Sequence, residues 1–519
     1  MKFTLSLIFI LYTSILYGQV FEDWDAFYTG PSTQGSHQGY KILLDDQGNV
    51  IVSGTSFGSD STHYDIVLIK YNSTGSEMWL ARYDGGKNDY DGITGMDIDL
   101  LGNIYVTGRS RISSYFDFIT IKYDSDGNKI WERRYDGPAH LADNPIDLVV
   151  GHLGSIYVGG EGTGLDTIQD FLTIKYNSQG DTLWTRRYRM IDTLSCMVRD
   201  IEVDSFDNIY VAGNCYPGYS VVKYNTEGDL LWTYDYHGEF GTGRLNAMKI
   251  DRDQNVCLTG IYDGKYTTIK LNASGLQEWV NIYNSPDTNF NEPYDLDFDT
   301  DGNIYITGVS DGDPSGFVKR DIVTIKYDAV GNEKWVRRKD GLNHGDDFGY
   351  AVTVGSENTI YVTGKRDGAY YIVAYNADGV IQWERIYDTD SAIECESRDI
   401  KVDCKGNVYV TGWCDYEPNA DRIITVKYAR TEQFNCFVGV EKLESEELDI
   451  YPNPVNDLLI ICNVTQNDIF NLYNLLGELV LKREIIQGSN RIVLPELPNG
   501  IYLFTLGSGL RSGKLIIQQ

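Results

Sequence analysis

The chain has 519 residues, 42% of them hydrophobic, too long for one ordinary domain and apolar enough for real cores. Its formal charge of −31 argues against a nucleic-acid-binding surface, whose footprint is basic. Acidity of this size also marks disordered chains, but 13% aromatic residues, 39 of them Tyr, mark a folded one. A count of 53 Gly against 12 Pro suits many short strands joined by tight turns.

The chain opens MKFTLSLIFILYTSILYG: Lys2, an apolar run from Phe3 to Tyr17, then small Gly18 before Gln19. This is the pattern of a cleaved signal peptide over residues 1–18. The run is short for a membrane span, and no Cys follows it to carry a lipid. No later stretch approaches about 18 apolar residues, so the mature chain is expected to have no transmembrane segment.

The middle of the chain is a repeat with a period of about 50 residues. One unit reads D-(I/L)-x-(V/F)-D-x-x-G-N-(I/V)-Y-(V/I)-T-G, a variable loop, D-x-x-T-I-K-Y-(D/N)-x-x-G, and W-x-x-x-Y. The Gly that closes the second segment recurs at Gly54, Gly108, Gly160, Gly213, Gly260, Gly308, Gly364 and Gly412. The Trp recurs at Trp79, Trp131, Trp184, Trp232, Trp279, Trp335 and Trp383, each with a Gly four residues before it. Each unit holds four short stretches with strand alternation, and its Gly, Asn and Asp turns close hairpins. Four antiparallel strands per period make one blade of a β-propeller. Three segments occur eight times, but the Trp segment only seven times after the first unit. The missing copy is at the other end, where Trp24 and Tyr28 repeat the W-x-x-x-Y spacing. The fold class predicted is therefore all-β: an eight-bladed β-propeller over 19–430, closed by an N-terminal strand that completes the last blade. Such closure removes an open sheet edge. The repeats resemble secreted bacterial propeller repeats of the SBBP type over about residues 21–430. The resemblance implies fold and extracellular location and no activity.

Several motifs within the repeats invite a chemical reading. The Trp segment is similar to the tryptophan-docking repeat of quinoprotein dehydrogenases, but the turn Asp or Asn is one residue nearer the Gly. The Thr before Gly appears once, at Thr74, and there is no Cys-Cys pair. The Trp residues are expected to pack between blades, and no cofactor is expected. Asp297, Asp299 and Asp301, followed by Gly302 and Asn303, spell the opening of an EF-hand loop. Its twelfth position is Gly308 where a bidentate Glu is needed, and turn chemistry accounts for the carboxylates. The six His, at 37, 63, 140, 152, 237 and 344, show no metal-ligand spacing. There is no H-E-x-x-H or G-x-S-x-G, and the Gly160–Gly164 loop has no following helix to cradle phosphate. No catalytic, cofactor-binding or metal-ligating residue is assigned.

The cysteines carry more. Cys196 and Cys215, and likewise Cys395 and Cys414, occupy the same two repeat positions in blades four and eight. Within each blade the two are equidistant from the middle of the intervening hairpin, so antiparallel register sets them opposite each other. Two disulfides, Cys196–Cys215 and Cys395–Cys414, are predicted, each worth about 3 kcal/mol on the loop-entropy model. Export to an oxidising compartment fits them. Cys404 and Cys436 are candidates for a third bond, and Cys257 and Cys462 read as buried apolar residues.

Both bridges pin the face formed by the loops between blades and the loops after the Y-(V/I)-x-G segment. Those loops vary most, as in TSFGSDSTHY, RSRISSY, EGTGLDTIQ, VSDGDPSGFVKR and WCDYEP, and irregular loops over regular strands suit a binding surface. Trp413, beside Cys414, is the one Trp outside the repeat position. It reads as a shield for the bridge or as a ligand contact.

The last stretch follows an acidic linker (431–447) and alternates apolar runs with Gly and Asn turns, as expected of a small all-β sandwich. Tyr451-Pro452-Asn453-Pro454, then LYNLLGELV, LPNGIYLFTL and the basic strand RSGKLII, resemble the C-terminal sorting domain of the type IX (Por) secretion system. The match covers 448–519. It implies an Ig-like sandwich, the type IX secretion machinery as partner, and export across the outer membrane of a Bacteroidetes-type bacterium to the cell surface or beyond.

The function expected is a non-catalytic binding scaffold for protein or glycan. The alternative is a secreted polysaccharide-acting hydrolase or lyase using carboxylates in the channel. Acidic and aromatic residues outside the repeat pattern at one end of the channel would favour the enzyme. Walls alike in all eight units would favour binding.

Overall fold

The computed structural model describes residues 20–430 and 450–517, apart from short stretches such as 59–62, 284–289, 312–319, 417–420 and 452–457. The predicted leader (1–18), the linker (431–447) and Cys436 lie outside the described residues. The chain divides into two compact units, 1–433 and 434–519.

In the first unit the described residues form eight four-stranded sheets. The sixth shows the plan: Asn291–Phe298, Ile304–Asp311, Arg320–Tyr327 and Glu333–Lys339 pair in order, each antiparallel to the last. The other blades are 37–83, 91–135, 144–188, 196–236, 243–283 and 348–387, numbered one to five and seven. Blade eight joins 392–430 to 20–28. The second and third strands of each blade are almost wholly buried, whereas the fourth in blade six is exposed at its first two residues and mostly half-buried beyond them. β-branched and aromatic residues fill the clefts between sheets, as with Ile304, Ile306, Val323 and Ile325 in blade six.

The turns follow from local chemistry. The Asp299 carboxylate accepts the backbone N–H groups of Asp301 (3.0 Å) and Asn303 (2.9 Å), the Asn303 side-chain amide and the Tyr305 hydroxyl. That network is an Asx-type turn cap, and it occupies the carboxylate of the EF-hand-like segment. At the second hairpin Gly331 has φ +91°, and a Cβ there would come within 2.8 Å of the Trp279 indole. The Gly four residues before each Trp is thus required twice: for its backbone, and because the preceding blade's Trp lies on it. The Trp279 indole N–H donates to the Ala329 carbonyl of the same turn. Trp79, Trp131, Trp184, Trp232 and Trp335 dock in the same way on the blade that follows.

The circle closes through the N-terminal strand. Val20–Tyr28 pairs antiparallel with Arg422–Arg430, from Val20 opposite Arg430 to Tyr28 opposite Ile423. Trp24 then does for blade one what each other Trp does for its neighbour. It lies over Gly75 and donates to the Ser73 carbonyl at 3.0 Å, and Lys427 donates to the same carbonyl at 3.1 Å. Trp383 faces the seam, where the chain changes from 430 to 20 and the tight turn is missing. Its buried indole N–H has no hydrogen-bond partner among the described residues.

In the second unit, strands 450–451, 458–464 and 488–493 form one sheet, and 479–485, 468–473, 500–506 and 511–517 form another. Leu459, Ile461, Phe470, Leu472, Phe504 and Leu515 share one core, the arrangement of a small sandwich. Among the described residues no helix is long and apolar enough to cross a membrane.

Candidate functional site

The first strand of every blade lines the central channel, and each carries an extra residue at the same place, that of blade eight having a second at Ile393. Register against the second strand slips at Tyr40, Thr94, Ile146, Arg199, Asn246, Tyr294, Tyr350 and Arg398. A β-bulge of this kind re-aims side chains. Here it turns two consecutive residues toward the channel. A cavity of ≈ 220 Å³ at this level is lined by such pairs, among them Tyr40–Lys41, Arg199–Asp200, Tyr294–Asp295 and Arg398–Asp399. The bulge also sets the cysteine register: because of the slip at Arg199, Cys196 falls opposite Cys215.

Above the bulges, on the loop face, aromatic rings and guanidinium groups form one chain of contacts. The Arg398 guanidinium lies 4.2 Å from the Tyr350 ring centre and 4.4 Å from that of Trp413. Tyr40 meets Trp413 edge to face at 6.1 Å, and Tyr294 meets Tyr350 at 5.5 Å. Phe348 stacks on Tyr350 at 5.6 Å, and Arg320 covers Phe290 at 4.3 Å. Arg398 also pairs with Glu396 at 2.6 Å. Tyr40, Tyr350, Tyr294, Arg398 and Trp413 are all half-buried, so each keeps a face toward the mouth.

Below the bulges the channel is charged. Asp200, Asp295 and Asp399 each accept the next amide of their own strand. Each also accepts an amide from the neighbouring blade: Met248 at 2.8 Å, Val352 at 2.9 Å and Ile42 at 2.9 Å respectively. Asp97 and Asp297 make the same pair of bonds one layer down, to Val150 and Val354. These carboxylates clip adjacent blades together. Lys41 pairs with Asp147 at 3.4 Å and Lys249 with Glu202 at 2.6 Å, and those partners hold both ammonium groups above the usual lysine range. Burial pushes Asp200 up to about 7 and Asp97 and Asp295 up to about 6.

The walls are not alike in all eight blades, contrary to what a plain binding disc would show. The residues outside the repeat pattern at the mouth are aromatic and cationic, and the carboxylates occupy a recurring position beneath them. A larger cavity of ≈ 650 Å³ opens at the turn face, lined by Asp251, Asp253, Asp299, Asp301 and their neighbours. It is built from turn residues, and the carboxylates of Asp251 and Asp299 already accept turn amides.

Of the residues marked from sequence, Cys196 is bonded to Cys215 and Cys395 to Cys414, with Cα–Cα distances of 4.3 Å and 4.0 Å. Cys404 is also disulfide-bonded, to a partner outside the described residues, and Cys257 is a buried free thiol. Trp413 sits in the mouth cluster beside the second bridge, opposite Glu396. Sequence reasoning missed the bulge residues. The one available signal was the position just before D-(I/L), which changes from unit to unit while its neighbours repeat.

Comparison with known proteins agrees with the architecture. A model of the secretion system C-terminal sorting domain matches residues 449–518, and a β-propeller repeat model matches residues 278–314. No curated protein matches the chain. Among solved structures, the polysaccharide lyase Uly1 is similar at 10% identity and TM-score 0.42, over 78% of this chain and 91% of that one. A puromycin hydrolase is similar at 11% identity and TM-score 0.44, over 75% and 60%. PorZ, a bacterial surface component of the type-IX secretion system of Porphyromonas gingivalis, is similar at 11% and TM-score 0.32, over 94% and 74%. Likenesses of this size say nothing of substrate or activity. With its eight propeller sheets and its matched C-terminal segment, the chain is a β-propeller repeat protein that carries a secretion system C-terminal sorting domain and is exported to the cell surface or the extracellular space.

Proposed function

We propose that this exported propeller is a binding protein whose loop-face mouth holds an extracellular glycan. One observation carries the reading: the bulges present Tyr40, Tyr294, Tyr350 and Arg398 as half-buried rings and a guanidinium around a cavity, with Trp413 packed against Tyr40 and Arg398. Flat aromatic faces and planar N–H forks suit sugar rings and their hydroxyl or carboxylate groups. The bulge residue differs from blade to blade, which departs from the uniform walls of a plain disc. None of the residues at the bulges is acidic, however, and those around the cavity include aromatic and cationic ones, which favours a selective binding site over acid catalysis. A rigid closed scaffold beneath it also limits the ordering cost of binding.

The enzymatic alternative, a polysaccharide-acting hydrolase or lyase, draws on Asp200, whose raised value suits a general acid. Its two oxygens, however, accept the amides of Ile201 and Met248, which leaves the carboxyl tied to the backbone of two blades. The test is a glycan array probed with the mature chain, followed by affinity and turnover measurements on each hit. Replacing Trp413 or Arg398 with Ala is expected to weaken binding at least about tenfold, or about 1.4 kcal/mol, with melting temperature little changed. Unchanged affinity in both variants contradicts the reading, and turnover of a hit transfers it to the enzymatic one.

A further inference from the structure

Between blades one and two, Asp65, Asp84 and Asp91 each offer one carboxylate oxygen, and the three oxygens lie within 4.8 Å of one another. Between blades two and three, Asp117, Asp136 and Asp143 do the same. The two clusters are the same construction. The first Asp opens the third strand of a blade, the second follows the Tyr of W-x-x-x-Y, and the third stands just ahead of the next blade's bulge. In each, the third Asp also accepts the amide of the Gly after the second Asp, Gly85 at 2.6 Å and Gly137 at 2.5 Å, which holds the loop in place.

Two features set the first cluster apart from an acidic patch on a surface, whereas in the second the Asp143 carboxylate is satisfied by the amides of Thr163 at 2.8 Å and Gly137 at 2.5 Å. First, Asp65 and Asp91 are 3% and 2% exposed, and the Oδ1 atom of each is buried with no hydrogen-bond partner. A buried carboxylate oxygen left unpaired is costly. Second, the charge is not balanced. Arg82 meets Asp65 at 2.6 Å, and His140 meets Asp136 at 2.7 Å. Among the described residues no other basic nitrogen is within 4.0 Å of these six carboxylates. Blade three supplies the contrast. There the same strand position is Asp170, the position after the Tyr is Arg189, and the position ahead of the next bulge is Cys196. Asp170 then has two arginines, Arg187 at 3.2 Å and Arg189. Arg189 also pairs with Asp166 at 2.6 Å, so two carboxylates there meet two cations, where the three carboxylates of the first cluster meet one.

We propose that the triad of Asp65, Asp84 and Asp91 is a calcium site that ties blade one to blade two on the loop face. Oxygen-only donors select a hard cation, and two oxygens of one calcium shell, each at 2.3–2.6 Å from the ion, can be about 4.8 Å apart. Magnesium, with its shorter bonds and strict octahedron, fits two buried side chains and one loop less well. An exported chain meets calcium at levels that suit the ~10⁻⁴–10⁻³ M affinities of extracellular modules.

The test uses the full mature chain freed of divalent ions by chelator and dialysis. Titration calorimetry with calcium chloride is expected to give one site, and thermal melts a rise of a few degrees. Magnesium at the same concentration is expected to give a smaller rise. Asp84 is the exposed member, so Asp84→Asn is expected to keep the wild-type circular dichroism and to lose the calcium response, whereas Asp136→Asn should keep both. No heat and no melting shift at concentrations about ten times that range overturns the proposal, and so does an unchanged calcium response in Asp84→Asn.

Discussion

At the residue scale, one glycine position ties the repeat together. Gly48 and Gly331 both have positive φ, +76° and +91°, but nothing lies within 4 Å of a Cβ at Gly48, whereas one at Gly331 strikes the Trp279 indole. Gly48→Ala is therefore expected to cost only the left-handed backbone term, about 1 kcal/mol. Gly331→Ala should cost roughly 2 kcal/mol or more, because the indole must also move. Chemical denaturation of the two variants checks the difference. The buried carboxylates make a second residue-scale prediction. Asp97, Asp200 and Asp295 are raised by burial to about 6, 7 and 6, above the ordinary unfolded value of about 3.9. Between pH 4 and 7 the folded chain thus holds protons that the unfolded chain has released. Their contribution to stability is full below about pH 4 and is lost as pH rises through the folded values. Asp200→Asn cannot ionise, so the fall in melting temperature from pH 5 to pH 8 should be smaller in that variant by a few degrees.

At the element scale, the strand 20–28 is the piece that turns a row of sheets into a closed circle. It covers the edge of 422–430 and delivers Trp24 to Gly75 and Ser73 of blade one. A chain beginning at residue 29 is expected to expose that edge, melt at least about 10 °C lower and scatter light on heating. Wild-type melting without scattering would contradict this role. The strand was legible in sequence because W-x-x-x-Y occurs once too few times downstream and once upstream. The disulfide pairs were legible for a related reason: equal repeat positions in two blades imply equal register. The bulges were not legible. A bulge adds one residue without changing the spacing between the Gly-Asn turn and the strand, and its side chain varies, so no period marks it. The partners of Asp200, Asp295 and Asp399 were hidden too, because they belong to another blade's backbone. From sequence those Asp residues read as turn formers or as channel acids, whereas they are clips between blades.

At the scale of the whole molecule, the two faces of the propeller differ in kind. On the turn face six of the eight blades repeat one Asp-capped turn, at Asp45, Asp99, Asp204, Asp251, Asp299 and Asp403, with the carboxylate engaged by its own backbone. On the loop face, the bulges and variable loops place Tyr40, Tyr294, Tyr350, Arg398 and Trp413 around the channel mouth. A chain with a net charge of −31 that gathers guanidinium groups at one mouth has separated its solubility from its recognition surface. The most direct measurement of that division is hydrogen–deuterium exchange on the mature chain with and without a glycan selected from the array. Added protection is predicted in the first strands of blades six, seven, eight and one, around Tyr294, Tyr350, Arg398 and Tyr40, with the Asp-capped turns unchanged. Protection at those turns with none at the bulges would contradict it.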